Sequence, residues 1–260
     1  MSAPERDELV DHLVRHRIAG DVRTPRESNL RNIQRMLDGD PQYTFGLELA
    51  PHWTAAAVLD VLAKRVGIDP DPRRRYGADR IDAHRTVEQL DAMRARLTTA
   101  MQRRERVLFA TGHPTGVLAI HLGLASAVAD AGGSVLSAGA GRSYERHYAE
   151  TVRREVRYLG GVAMVTDGAS FRHTHAPEGM WLILDALAEA GEPAPDLVVA
   201  DHGWAGAAGQ AGVDAVGFAD SNDPALFVGQ AEGKLSVVVP LDDNVWPQLY
   251  DPVTRYLVSR

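Results

Sequence analysis

The chain contains no cysteine. That absence removes disulfides, thiolate zinc sites, iron–sulfur ligation and cysteine nucleophiles together, so any metal must sit on histidines and carboxylates. Long apolar runs are missing too. None approaches the roughly 20 residues of a membrane span, and the N-terminus, Met1-Ser2-Ala3-Pro4-Glu5-Arg6, is charged where a signal peptide carries its apolar region. These features predict a cytoplasmic protein with no membrane partner. Nor is there an excess of basic residues. A formal net charge of −7 argues against a nucleic-acid partner, because non-specific binding needs a basic face to displace counterions from phosphates. The cluster Arg73-Arg74-Arg75 is too short to alter that and reads as a solvated loop.

What is present suits a folded α/β protein. At 260 residues and 45% hydrophobic content the chain can bury a large core. Residues 1–104 read as a helical region packed on that core. Leu9, Leu13 and Val14 mark one helix ending near Gly20, Thr54 to Val66 another, and Leu90, Met93, Leu97 and Met101 the stripe of a longer helix ending near Arg104. Thr24-Pro25-Arg26-Glu27 has the form of a capping box, with Thr24 as N-cap, opening a helix towards Leu37.

From Arg106 the pattern changes to short apolar runs alternating with Ala/Leu-rich segments, the mark of βαβ units. Strands are predicted at Val107–Ala110, Val135–Ala138, Leu197–Ala200, Ala215–Ala219 and Val237–Val239. Helices are predicted over 116–131, 178–190 and 224–232. Val162–Thr166 and Ala169–His175 flank Asp167-Gly168, which predicts a β-hairpin with a two-residue turn. The expected fold is α/β and Rossmann-like: three layers around a mostly parallel sheet, with a β-hairpin insertion and residues 105–260 as the catalytic domain.

Chemistry gathers where these strands end. In such a sheet, ligands bind outside the carboxyl ends of the strands. Thr111-Gly112-His113-Pro114-Thr115-Gly116 leads from the first core strand into a helix. It lacks the Gly-Lys-Ser/Thr ending of the Walker loop and the G-x-G-x-x-G dinucleotide spacing, and suits a phosphoryl group at a helix N-terminus, with Thr111, Thr115 and the amides as donors. His173 and His175, two apart on one strand face, can grip a divalent ion or a phosphate, or stand as ordinary structural imidazoles. Asp201, at the tip of its strand before His202-Gly203, has the place of a metal ligand or general base. The glycine-rich stretch 204–212 reads either as an anion-binding loop or as a helix packed closely on the sheet. Asp220 is a further site candidate, and Asp223 reads as the cap of the helix entered at Pro224.

Across these same segments the chain resembles an actinobacterial protein family generally labelled phosphatase. The likeness rests on Ala-Thr-Gly-His-Pro-Thr-Gly-Val-Leu (110–118), His-Thr-His-Ala-Pro-Glu-Gly-Met (173–180), Asp-Leu-Val-Val-Ala-Asp-His-Gly-Trp-Ala-Gly (196–206) and Gly-Phe-Ala-Asp-Ser-Asn-Asp-Pro-Ala-Leu (217–226). It extends to Ile18–Leu30 and to Val-Pro-Leu-Asp-Asp-Asn near the end, while Gly139–Tyr158 departs from the family pattern. The resemblance implies hydrolysis of a small phosphomonoester: a sugar, nucleoside or amino-alcohol phosphate.

No Cys-x5-Arg loop, Arg-His-Gly motif or Asp-x-Asp after the first core strand is present, which leaves water attack assisted by a divalent metal (Mg, Mn or Zn). The expected ligands are His173, His175, Asp201 and Asp220. His113 or His202 would protonate the leaving oxygen, with Asp201 in the same catalytic group. Thr111, Gly112, Thr115, Gly116, Arg26 and Asn222 would hold the phosphate, Arg26 and Arg23 being read as exposed donors, or else as ordinary solvated charges of a capped surface helix. An isomerase, lyase or cyclase acting on a phosphosugar or nucleotide, or a non-catalytic sensor of a phosphorylated metabolite, would use the same crevice. A homodimer is the expected assembly.

Overall fold

Val107, Leu108, Phe109 and Ala110 are all buried. A strand with no polar face must be covered on both sides, so this run belongs in the middle of a sheet sandwiched by helices. The computed structural model describes residues 2–147 and 151–259. In chain order its elements are α1 (Arg6–Arg15), β1 (Gly20–Pro25), α2 (Arg26–Leu37), α3 (Pro41–Thr44), α4 (Ala55–Arg65), β2 (Ala78–Ile81), α5 (Ala83–Arg103), β3 (Arg106–Ala110), α6 (Leu118–Asp130) and β4 (Ser134–Val135). There follow β5 (Ser143–His147), β6 (Thr151–Leu159), β7 (Val162–Thr166), α7 (Glu178–Glu189), β8 (Leu197–Asp201), α8 (His202–Gln210), β9 (Ala215–Ala219), α9 (Pro224–Ala231), β10 (Val237–Pro240) and α10 (Asp251–Val258).

The main sheet runs β10-β9-β8-β3-β7-β6-β5, with β4 paired to the start of β3. Strands β10, β9, β8, β3 and β7 are parallel, and β6 and β5 extend the sheet antiparallel. α5, α6 and α10 pack together, as do α7, α8 and α9, and the result is a Rossmann-like three-layer fold. The chain leaves β3 towards β7 on one side and returns to β8 on the other. The carboxyl ends of β3 and β8 therefore flank the point where the strand order reverses, the place where such sheets bind ligands. No helix among the described residues is long and apolar enough to cross a membrane.

Most apolar runs form the elements their patterns predict, and the departures have local causes. The strand expected at Val135–Ala138 is only Ser134–Val135, followed by Gly139 in a left-handed conformation. Beyond β7 the chain makes one antiparallel bridge, Thr166 to Phe171. The predicted two-residue turn is four residues wide, because the Asp167 carboxylate accepts hydrogen bonds from the amides of both Ala169 and Ser170 (3.0 Å each). Residues 172–175 consequently run as irregular chain over the sheet's end. The true antiparallel partner of β7 is β6.

The N-terminal region is not purely helical, since β1 and β2 form a small antiparallel sheet. Its helices share one continuous core with the main sheet, extending from Leu9 to Leu257. α5 lies on β10, while α2 and α4 lie on α9. The predicted capping box is absent: β1 runs through Thr24, Pro25 takes the N-cap position of α2, and no side chain caps the helix. The Thr24 hydroxyl instead donates to Asp220.

Arg26 also departs from expectation. It is fully buried, its Nη1 donates to Asp79 Oδ2 (3.0 Å), and its Nε and Nη2 donate to the carbonyls of Arg74 and Asp71 (3.1 Å each). Asn29 Nδ2 reaches the same Asp79 oxygen (2.8 Å). Arg26 is thus the clasp between α2, β2 and the 71–74 segment, and, fully buried and away from the cavity, it does not present itself to a phosphate. Removing one partner of a buried pair leaves the other charge uncompensated. Arg26→Ala is expected to lower stability by about 3–5 kcal/mol, read from the midpoint of urea unfolding; a loss below about 1 kcal/mol would show that the pair contributes little.

Candidate functional site

β8 ends at Asp201 in an extended conformation, and His202 turns the chain into α8 with φ +45°. A non-glycine residue in this left-handed region costs about 1–3 kcal/mol and persists only where its surroundings hold it. Two features hold it here. Gly203 brings α8 so close that a Cβ would stand 2.3 Å from the carbonyl oxygen of His175. Asp201 meanwhile fixes the imidazole, with its Oδ1 2.7 Å from His202 Nδ1.

Asp201 is buried, and both of its oxygens are engaged. Oδ1 also accepts the Gly112 amide at 2.7 Å, and Oδ2 lies 3.1 Å from His121 Nε2. Burial by itself would raise this carboxyl, but the hydrogen bonds of His121 and His202 outweigh it and hold the group well below the usual carboxylate range. Burial would likewise lower His202, yet the charge of Asp223 and the bond to Asp201 push it up to about 10. With Nδ1 committed to Asp201, His202 directs Nε2 towards Asp243 (3.5 Å) and Asp223 (3.8 Å).

A wall of imidazoles stands beside His202. Ring centroids of His173 and His175 are 5.0 Å apart, and those of His173 and His175 lie 5.1 and 4.9 Å from that of His202. His113, at the end of β3, is 4.6 Å from His173. His175 Nδ1 lies 2.8 Å from the Gln42 carbonyl, which requires the proton on Nδ1 and leaves Nε2 with a free lone pair. Burial, then the neighbouring His202, pushes His175 down to about 4. His173 is more open on its cavity side; the same causes hold it below its ordinary value. Both are therefore neutral at physiological pH, the form that can ligate a metal.

The floor is acidic. Asp220 and Asp223 follow β9, and Asp242 and Asp243 follow β10. All four are buried. Burial and the charges of Asp243 and Asp242 raise Asp220, burial pushes Asp223 up to about 7 against the pull of His202, and burial raises Asp242. Three overlapping groups have ligand atoms within 4.8 Å of one another: His173, His175 and His202; His202, Asp223 and Asp243; and Asp220, Asp242 and Asp243. Mutually repelling carboxylates beside neutral imidazoles are the donor set a divalent cation neutralises, so these residues fit a metal. The cavity above them encloses ≈ 410 Å³ and is bordered by Arg23, Arg31, Asn222, His113, His173, His175 and His202.

Several expected contacts take other places. Asp201 belongs to none of the three groups; it stands behind His202 and orients it. Thr111 is buried and its hydroxyl accepts the His113 amide (2.9 Å), while its own amide donates to Ala163. The amides of Gly112 and Gly116 are likewise engaged, by Asp201 and by the His113 carbonyl. The turn is thus closed by its own hydrogen bonds instead of forming an anion cradle. Gly112 and Gly116 serve close approach: a Cβ would lie 2.3 Å from the Thr174 carbonyl oxygen or 2.0 Å from that of Asp243. Thr115 is exposed and does not border the cavity. Asp223 makes no capping hydrogen bond. The glycine-rich stretch is helix α8, buried along most of its length, with Gly206 and Gly209 meeting the carbonyls of Phe45 and Lys234.

Asp242, Asp243 and His121 escaped the sequence reading. The two aspartates follow an apolar strand, the same signal that marked Asp201 and Asp220; His121 lay in an apolar helix without any such cue. The hydrogen bond from a ligand histidine to a carboxylate behind it typically accounts for 10–100-fold in metal affinity. Asp201→Asn is accordingly expected to weaken divalent-metal binding by about 10–100-fold in a calorimetric titration, and unchanged affinity would remove Asp201 from that role.

Comparison with known proteins gives the family. The sequence model of the family described as "Phosphatase" matches residues 4–260. A curated protein of Streptomyces coelicolor named "Phosphatase SCO2771" is 49% identical over 258 residues, covering 98% of this chain and 96% of the relative. With the match running through every strand end that contributes to the histidine and aspartate cluster, the chain belongs to the Phosphatase family.

Proposed function

We propose that the protein hydrolyses a small phosphomonoester with the help of a divalent metal, Mg, Mn or Zn. The observation that carries this reading is the continuous strip of ligand atoms from His173 and His175 through His202 and Asp243 to Asp220, set at the floor of a cavity with arginines at its mouth. A cation-binding floor beneath guanidinium groups suits a phosphate ester.

The ion, when bound, would supply Lewis-acid charge for the phosphoryl oxygens and make water acidic enough to attack near neutral pH. Ligands for an ion would be drawn from the three overlapping groups, His173 with His175 and His202, His202 with Asp223 and Asp243, and Asp220 with Asp242 and Asp243, and a group that uses His202 requires the ion to displace the ring proton that Asp223 and Asp201 otherwise hold there. Asp201 keeps His202 in one tautomer and one orientation. Arg23 and Arg31 border the cavity with Asn222 and would meet the ester's anionic oxygens. His113 lies in the same cavity outside all three ligand groups. Its Nδ1 is buried without a hydrogen-bond partner, so Nε2 is the nitrogen able to hand a proton to the leaving alcohol.

Two measurements test this. Protein stripped with a chelator and resupplied with Mg, Mn or Zn is expected to release inorganic phosphate from one or more members of a panel of sugar, nucleotide and amino-alcohol monoesters; release from none with any of these ions overturns the reading. His113→Gln is expected to lower kcat by about 10²–10⁴-fold on alkyl phosphates, and much less on p-nitrophenyl phosphate, whose leaving group needs no proton. An equal loss on both substrates would take the general-acid role from His113.

A further inference from the structure

A second, smaller cavity of ≈ 240 Å³ opens beside the first. The two share a wall formed by Tyr43, His173 and His175. Arg35 and Arg154 stand on its other sides, together with Tyr144. Its volume is below the range of about 300–1,000 Å³ that encloses a whole drug-sized molecule, so it accommodates one substituent of a ligand whose remainder lies next door.

The charges in this cavity are unevenly matched. Arg146, also on its wall, pairs with Glu178 through Nε and Nη2 (2.9 and 3.0 Å). Among the described residues neither Arg35 nor Arg154 has a carboxylate partner. Arg35 donates to the Tyr43 hydroxyl at 2.8 Å and stacks on that ring at 5.0 Å, which fixes its guanidinium at the cavity edge. Among the described residues Arg154 donates to a backbone carbonyl, that of Arg153. The Tyr144 hydroxyl is buried without a well-formed hydrogen bond. In a chain of net charge −7, two guanidinium groups without carboxylates facing a phenol is a site built for an anion.

We propose that this cavity binds a second anionic group, a phosphate or a carboxylate, carried by the alcohol portion of the substrate, so that the protein acts on phosphomonoesters bearing a further acidic group. The proposal rests on the phosphomonoester reading above. It adds Arg35 and Arg154 as residues that determine specificity: the ester phosphate occupies the cavity over the aspartates, and the second anion passes His173 and His175 to meet the arginines. Monoesters of neutral alcohols would leave that cavity to water.

Two matched pairs of probes test it with the metal-loaded protein. Glycerol 3-phosphate and 3-phosphoglycerate differ by a carboxylate. Adenosine 3′-phosphate and adenosine 3′,5′-bisphosphate differ by a phosphate. The expected result is a preference of about tenfold or more in kcat/KM for the more anionic member of one pair, which also tells carboxylate from phosphate. That ratio should collapse towards one in the double variant Arg35→Met/Arg154→Met and survive in part in Arg154→Lys, which keeps the charge. No preference in either pair, or a preference that persists in the double variant, overturns the proposal.

Calorimetric titration with 3-phosphoglycerate and the bisphosphate separates the two readings. Tighter binding to the wild type than to the double variant, without phosphate release, upholds the cavity and removes hydrolysis. Phosphate release with no preference upholds hydrolysis and removes the cavity.

Discussion

The geometry of the site depends on one carboxylate. Asp201 receives the Gly112 amide after β3, faces His121 in α6, and holds His202 at the turn into α8. Three elements on the two strands flanking the sheet's reversal point are thereby fixed to a single buried charge. In a buried environment such charge-assisted bonds are strong, and the same environment makes an unpaired carboxylate costly. His202 can occupy a left-handed conformation because this network leaves it no alternative.

Around that hub the fold concentrates negative charge at one place. Parallel pairing puts the carboxyl ends of β8, β9 and β10 side by side, and the two aspartates after β9 and the two after β10 cannot avoid one another. The N-terminal region contributes to this arrangement. Thr24 donates to Asp220, the Arg23 amide reaches Asp242, and Ser221 donates to Asn29, which is itself bound to the clasp of Arg26 and Asp79. A segment distant in sequence therefore sets the hydrogen bonds of the acidic floor, and the arginines at its mouth, Arg23 and Arg31, come from the same segment.

Much of the core was legible because its causes are local. Four- and five-residue apolar runs became β3, β8, β9 and β10, and the 3.6-residue stripes became α4 and α5. The strands that escaped, β1, β2, β5 and β6, are partly exposed and carry charged residues on their open faces, so no clean alternation announced them. Arg26 looked like an exposed donor because it stands with Arg23 and Asn29 around a helix start. Its partner, Asp79, lies in β2, more than fifty residues away, and no local pattern reveals such a pair.

The sequence by itself determined which residues could carry chemistry and roughly where each would stand. Absence of cysteine restricted metal ligands to histidine and carboxylate, and the position of His113, Asp201, His202 and Asp220 just after apolar strands put them at one edge of a parallel sheet. Only the tertiary structure decided their division of labour. Asp201 faces inward to His121 and His202, while Asp223, Asp242 and Asp243 face the cavity; Thr111 closes its own turn, and Arg26 lies buried. The physical reason is that a side chain's role follows from which groups surround it at three or four ångströms, and those neighbours are supplied by strands and loops that chain order leaves far apart.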